Sequence, residues 1–158
     1  MKFYVKNKLM SLKGSSNVYD ENNQDIYKVK GKFFSITNKK RITDLNGNVL
    51  FYVKNKLFNF FFHSSFILDA NKHKIAKVKN RFFRTGFDLI GYEDAISVDR
   101  HSITGYSVIK NGEKVGTVKN PVITLTDTYE VEVDSQEDVP FMVALIIAID
   151  NVIDNIRK

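Results

Sequence analysis

The run Val139-Pro140-Phe141-Met142-Val143-Ala144-Leu145-Ile146-Ile147-Ala148-Ile149 decides the fold. It holds eleven uncharged residues, all apolar apart from the proline. After it, Val152, Ile153 and Ile156 keep helical spacing, while Asp150, Asn151, Asp154, Asn155, Arg157 and Lys158 fill the other face. Pro140 suits a first helical turn, where its missing N–H is no loss, and Ser135 to Asp138 supply a cap and helix-start carboxylates. The spacing predicts a helix over 139–157. A membrane span needs about 20 apolar residues, and Asp150 ends this run well short of that. A helix apolar on all sides must then be buried in protein. The rest of the chain has to wrap around it.

What precedes the run is a repeat. Val5-Lys6-Asn7-Lys8, Val29-Lys30-Gly31-Lys32, Val53-Lys54-Asn55-Lys56, Val78-Lys79-Asn80-Arg81 and Val118-Lys119-Asn120-Pro121 are five copies of one phrase, their valines 24, 24, 25 and 40 residues apart. Asn or Gly always takes the third place, and these residues best tolerate positive φ, so a tight turn or bulge is expected there. Between the phrases lies a second turn: Asp20 to Asp25, Asp44 to Asn48, Asp69 to Lys72 and Lys110 to Glu113. β-prone segments flank these turns, so each unit is two strands. Five units, with the extra stretch from Phe87 to Ile109, give roughly a dozen strands over residues 3–134. Open edges on such a sheet invite aggregation. The expected fold is mostly β: a closed antiparallel barrel of about twelve strands around a buried hydrophobic C-terminal helix, in one domain spanning 1–158.

Composition narrows the function classes. The 158 residues carry 13 Phe and 7 Tyr but no Trp, two Pro and no Cys. Disulfides and thiolate metal sites are excluded, and a reducing compartment is suited. The segment Met1 to Lys8 interrupts every apolar run with Lys or Asn, so no signal peptide is read. Net charge is +6, unevenly placed. Residues 1–90 hold 18 Lys/Arg against 6 Asp/Glu, and residues 91–158 hold 6 against 12. That asymmetry points to an anionic partner for the basic part, or to a lysine-rich surface that keeps an aromatic β protein in solution.

Five phrases carry a family resemblance: Tyr4-Val5-Lys6-Asn7-Lys8-Leu9, Tyr19-Asp20-Glu21-Asn22, Gly31-Lys32-Phe33-Phe34-Ser35, Asp127-Thr128-Tyr129-Glu130-Val131 and Ala144-Leu145-Ile146-Ile147-Ala148-Ile149-Asp150. In order and spacing, from residue 4 to about residue 150, they resemble the LURP-one-related family, within the tubby C-terminal-like domains, and look like a bacterial member. Departures are Asn120-Pro121-Val122, where relatives more often carry a basic or aromatic residue, and the missing Trp. The resemblance implies a twelve-stranded barrel around a hydrophobic helix. It implies no established catalysis, and its wider relatives include phosphoinositide-binding tubby domains and phospholipid scramblases. No phosphoinositide motif is matched here, so the step to lipid is analogy.

The basic phrases themselves are the candidate site. If neighbouring units pair, Lys6, Lys8, Lys30, Lys32, Lys54, Lys56, Lys79 and Arg81 gather along one rim. Each phrase except the fifth is followed by two apolar residues: Leu9-Met10, Phe33-Phe34, Leu57-Phe58 and Phe82-Phe83. Basic residues beside outward rings suit an anionic interface; a bulge turning both apolar residues inward would leave the lysines as gatekeepers on strand ends. The anion- or lipid-binding candidates are Lys30, Lys32, Lys54, Lys56, Lys79 and Arg81. His63, His73 and His101 are scattered without ligand spacing, no nucleophile elbow or phosphate loop occurs, and neither metal nor cofactor is expected. The expected role is a non-enzymatic binding or scaffold domain, cytoplasmic and peripheral at the inner membrane face, engaging anionic phospholipid. The rival is a protein-interaction module using a strand edge or the acidic run Glu130, Glu132, Asp134, Glu137 and Asp138, which could also mediate self-association. Nucleic acid is a more distant alternative, because the interleaving of Lys32-Phe33-Phe34 and Arg81-Phe82-Phe83-Arg84 lacks a recognised nucleic-acid fold pattern.

Overall fold

The inward valine of each repeat sets the architecture. A computed structural model of the chain describes residues 1–6, 15–31, 37–57, 63–119 and 128–157. Twelve strands occur in chain order: β1 (Lys2–Lys6), β2 (Ser15–Asp20), β3 (Asp25–Gly31), β4 (Lys40–Thr43), β5 (Val49–Asn55), β6 (Ser64–Asp69), β7 (Lys74–Asn80), β8 (Gly86–Ile90), β9 (Ile96–Arg100), β10 (Gly105–Lys110), β11 (Glu113–Lys119) and β12 (Thr128–Val133). One helix follows, α1 (Val139–Arg157). Each strand pairs antiparallel with its sequence neighbours, and β1 pairs with β12, Lys2 opposite Glu132 and Lys6 opposite Thr128, so the sheet closes into a barrel. Val5, Val29, Val53, Val78 and Val118 are all buried in one core. Side chains alternate along a strand, so the lysine after each valine stands on the outer wall.

Because alternate strands run the same way, β1, β3, β5, β7 and β11 all leave the barrel at one end, here called the mouth. The opposite end is closed by tight hairpins, and three of them are copies. In Asp20–Gln24, Asp44–Asn48 and Asp69–His73 the aspartate carbonyl accepts from the N–H three residues on, at 3.0, 3.2 and 3.0 Å. Its carboxylate accepts from the N–H four residues on, at 2.9, 2.8 and 2.9 Å. The fourth residue of each is left-handed: Asn23 (φ 61), Gly47 (φ 94) and Lys72 (φ 67). Hydrogen bonds hold the Asp44 and Asp69 carboxyls below their ordinary pKa: for Asp44 first the one donated by the Asn48 side-chain amide at 2.7 Å, for Asp69 first the one from the His73 N–H.

The third place of the basic phrase differs from expectation. Gly31, Asn55 and Asn80 do not have positive φ; the equivalents Asn7 and Asn120 lie outside the described residues. Two residues after the inward valine, the third place lies on the inner face. Asn55 is buried there, and its backbone N–H reaches the Thr37 carbonyl at 2.7 Å. Small or polar residues are wanted at these positions because this is where the apolar interior ends.

The helix fills the barrel. Residues 141–152 are buried without a break, which requires neighbours on every side of the helix. Asp138 caps the N-terminus, its carboxylate accepting from the Phe141 N–H at 3.0 Å. At the mouth end, Asp150 is held from two sides of the barrel. Tyr129 of β12 donates to its Oδ1 at 2.9 Å, and Lys40 of β4 places its Nζ 3.5 Å from Oδ2. Burial, then the neighbouring Asp150 charge, drives the Tyr129 hydroxyl well above its ordinary pKa, so it stays a donor. One residue on, Asn151 accepts from Asn38 Nδ2 at 2.9 Å and donates to the Asn38 carbonyl at 3.2 Å. The apolar run that specified the helix thus ends in a polar lock.

Candidate functional site

Local alternation decides which cations face solvent. In the run Lys39-Lys40-Arg41, Lys40 faces in and is buried beside Asp150, while Arg41 faces out. Register then places Arg41 between two other outward residues, Lys30 of β3 and Tyr52 of β5. Lys39 lies over the Tyr52 ring, its Nζ 5.1 Å from the centroid, a cation–π contact that fixes both groups. Lys72 joins from the hairpin between β6 and β7. Together with Gly31 and Lys40 these residues line a groove of about 230 Å³ on the outer wall.

The described lining contains no carboxylate. Besides Lys40, which meets Asp150, the lining brings Lys30, Arg41 and Lys72 together with Lys39, which lies over the aromatic floor, on one concave surface. Such a cluster repels itself, and a bound anion relieves that repulsion. Arg41 can offer a planar fork to phosphate oxygens, while the lysines act as point charges. The groove can therefore hold a phosphate or carboxylate group. Among the described residues no group of His, Cys, Asp and Glu is arranged to hold a metal ion.

Elsewhere on the surface, several cations meet carboxylates. Glu130 bridges Lys2 at 3.1 Å and Lys119 at 3.3 Å. Lys110 contacts Asp94 at 3.4 Å and Glu137 at 3.1 Å. Arg81 contacts Asp88 at 2.7 Å and Asp99 at 2.8 Å. The described lining of the groove gathers cations around an aromatic ring.

The family model for LURP-one-related proteins matches residues 1–150. The chain belongs to the LURP-one-related family. The crystal structure of a protein from Arabidopsis thaliana is similar, with a TM-score of 0.65 and 16% identity, covering 99% of this chain and 91% of that one. At that identity the likeness speaks to the fold alone, and it says nothing of a bacterial source. No curated protein matches the chain in sequence. The LURP-one-related fold suggests a binding domain.

Within the LURP-one-related barrel the sequence-derived candidates separate. Lys30 lies in the groove. Lys54 is on the outer wall opposite Phe66, Lys56 is exposed just beyond β5 at the mouth, and Lys79 sits opposite Asp88. Lys32 lies outside the described residues. Arg81 is braced by two carboxylates, which raise its pKa, the Asp88 hydrogen bond first. Lys39, Arg41, Tyr52 and Lys72 are absent from the sequence-derived candidates, because only strand register and a hairpin bring them beside Lys30. Of the apolar pairs, Phe82 and Phe83 both face solvent, 71% and 95% exposed. Leu57 is exposed too, while Leu9-Met10, Phe33-Phe34 and Phe58 lie outside the described residues. Among the described residues every strand is paired on both sides, β1 with β12 closing the ring. Much of the acidic run is engaged internally: Glu130 and Glu137 hold lysines, and Asp138 caps the helix.

Proposed function

We propose that this protein is a non-enzymatic binding domain that engages the phosphate groups of an anionic membrane surface, from the cytoplasmic side and as a peripheral protein. The observation that carries the reading is the groove of Lys30, Lys39, Arg41 and Lys72, whose described lining has no carboxylate. Lysines on the adjoining wall extend its field: Lys28 on β3, Lys54 on β5 and Lys77 on β7 all face outward by register. Near an anionic leaflet each contributes about 1 kcal/mol, so several together hold a domain reversibly. No described helix is long and apolar enough to cross a membrane, so α1 does not serve as the anchor.

The test is co-flotation of the protein with neutral and with phosphatidylserine-containing vesicles, at low and high salt. Binding to the anionic vesicles alone, weakening with salt, supports the reading. Binding that ignores lipid charge, or no binding at all, removes it. In the latter case a pull-down addresses the rival role, an interaction module without a lipid ligand.

A further inference from the structure

Arg81 and Arg100 brace two adjacent loops at the mouth that display large apolar side chains to solvent. Phe82 and Phe83 form the tip of the β7–β8 connection, their ring centroids 6.3 Å apart. Ile103, 76% exposed, sits in the β9–β10 connection. Hydrogen bonds organise both loops. Arg81 donates its backbone N–H to the Gly86 carbonyl at 2.9 Å and its Nε to Asp88 at 2.7 Å, and its Nη2 reaches Asp99 at 2.8 Å and the Phe87 carbonyl at 3.5 Å. Thr85 donates its hydroxyl to the Phe82 carbonyl at 3.3 Å. Arg100 donates its backbone N–H to the Thr85 carbonyl at 2.9 Å, lacing one loop to the other. Its side chain donates to the carbonyls of Ser102 at 3.0 Å and Ile103 at 3.2 Å. Gly86, at φ +150, lets the first loop lie against β9, since a Cβ there would stand 2.2 Å from the Val98 carbonyl oxygen.

Phe83 adopts φ 58, ψ 19, a left-handed conformation that a bulky residue rarely takes. Hydrophobic collapse would turn these rings inward; here a strained backbone and two salt-bridged or carbonyl-bound arginines hold them out. Strain kept in place by surrounding structure marks functional surfaces.

We propose that Phe82 and Phe83, with Ile103 beside them, form a wedge that enters the apolar margin of an anionic bilayer, and that Arg81 is a positioning residue for that wedge. The inference rests on the membrane reading above. The bilayer is favoured as the occupant because the tip borders the lysine-bearing wall: β7 carries outward Lys77 and Lys79 next to the strand's mouth end. Charges meeting phosphates while neighbouring rings enter the head-group boundary is the pattern of interfacial binding.

The chain has no Trp, so Phe83→Trp supplies a single indole, read apart from the seven tyrosines by its longer-wavelength emission. Its emission is read with phosphatidylserine/phosphatidylcholine vesicles, with and without brominated acyl chains, and flotation is run on the same samples. The wedge predicts a blue shift on binding and roughly twofold quenching by bromine. Phe82→Ser/Phe83→Ser should leave the melting transition in place and weaken partitioning by about tenfold. Should the Phe83→Trp variant float with the vesicles while its indole keeps an aqueous emission and escapes quenching, the wedge is wrong and the charged contact stands. If the protein does not float, the wedge and the membrane reading fall together.

Discussion

The two ends of the barrel are built from the same repeating unit and have opposite characters. At the closed end the hairpins at Asp20, Asp44 and Asp69 superimpose in hydrogen bonding, each carboxylate folded onto its own turn. At the mouth, the arriving strands carry lysines, the helix finishes in a polar lock, and phenylalanines stand in solvent. The turns of one end satisfy their carboxylates internally, and its exposed apolar residues, Met1, Leu45 and Ile90, stay half covered. The other leaves both kinds in part for something outside the chain. The repeat therefore supplies a scaffold at one end and leaves the other free to specialise.

The largest expected effect comes from breaking the lock beneath the mouth. Asp150→Ala leaves Lys40 charged and unpaired inside the barrel, which costs about 3–5 kcal/mol. Urea unfolding should show that loss, and Lys40→Met together with Asp150→Leu should recover most of it. If Asp150→Ala is silent, the lock does not hold the helix. Next comes the wall. Lys30→Glu/Arg41→Glu/Lys72→Glu should lower partitioning onto anionic vesicles by about a hundredfold or more with little change in melting temperature, given about 1 kcal/mol per basic residue. The companion triple Lys54→Glu/Lys56→Glu/Lys79→Glu sharpens the comparison. A much weaker effect assigns recognition to the groove, and an equal one assigns it to the field of the whole wall.

The smallest effect belongs to the closed end. Asp44 and Asp69 have folded-state pKa values below their unfolded ones. Their stabilising contribution is therefore full above the ordinary carboxylate range and is lost as pH falls through the lowered values. The double variant Asp44→Asn/Asp69→Asn should melt slightly lower at neutral pH and show a shallower decline in stability on acidification below about pH 4. A profile parallel to that of the parent protein would mean that the turns contribute nothing through these carboxylates.

The fold is legible because its signals are periodic. Valines every 24 or 25 residues and an apolar run too long for one helical face leave few architectures. The turns are legible through Asp, Asn and Gly. The groove is not, because Lys30, Lys39, Arg41 and Lys72 span three segments joined only by register, and β4 is four residues long. Nothing in the string Lys39-Lys40-Arg41 tells that the middle residue turns inward to meet a carboxylate some hundred positions later. Arg81 misleads for the same reason: its partners arrive from β8 and β9. Gly31, Asn55 and Asn80 of the basic phrase have turn chemistry, yet they mark the inner lip of the mouth, a property of the closed barrel and not of the local chain.

The place of α1 in chain order has a consequence for how this protein reaches its native state. The core helix follows all twelve strands, and the first strand closes against the last. No early segment can bury its valines against their final partner, so intermediate sheets hold exposed inner faces and two unsatisfied edges. Contacts so distant in sequence make for slow, concerted acquisition of structure, on the millisecond-to-second scale of β-rich proteins. Until the helix arrives, a ring of hairpins has nothing to close around. Barrel closure and helix docking are then expected to be coupled, and a nascent chain of this kind should gain from protection against aggregation until both are complete.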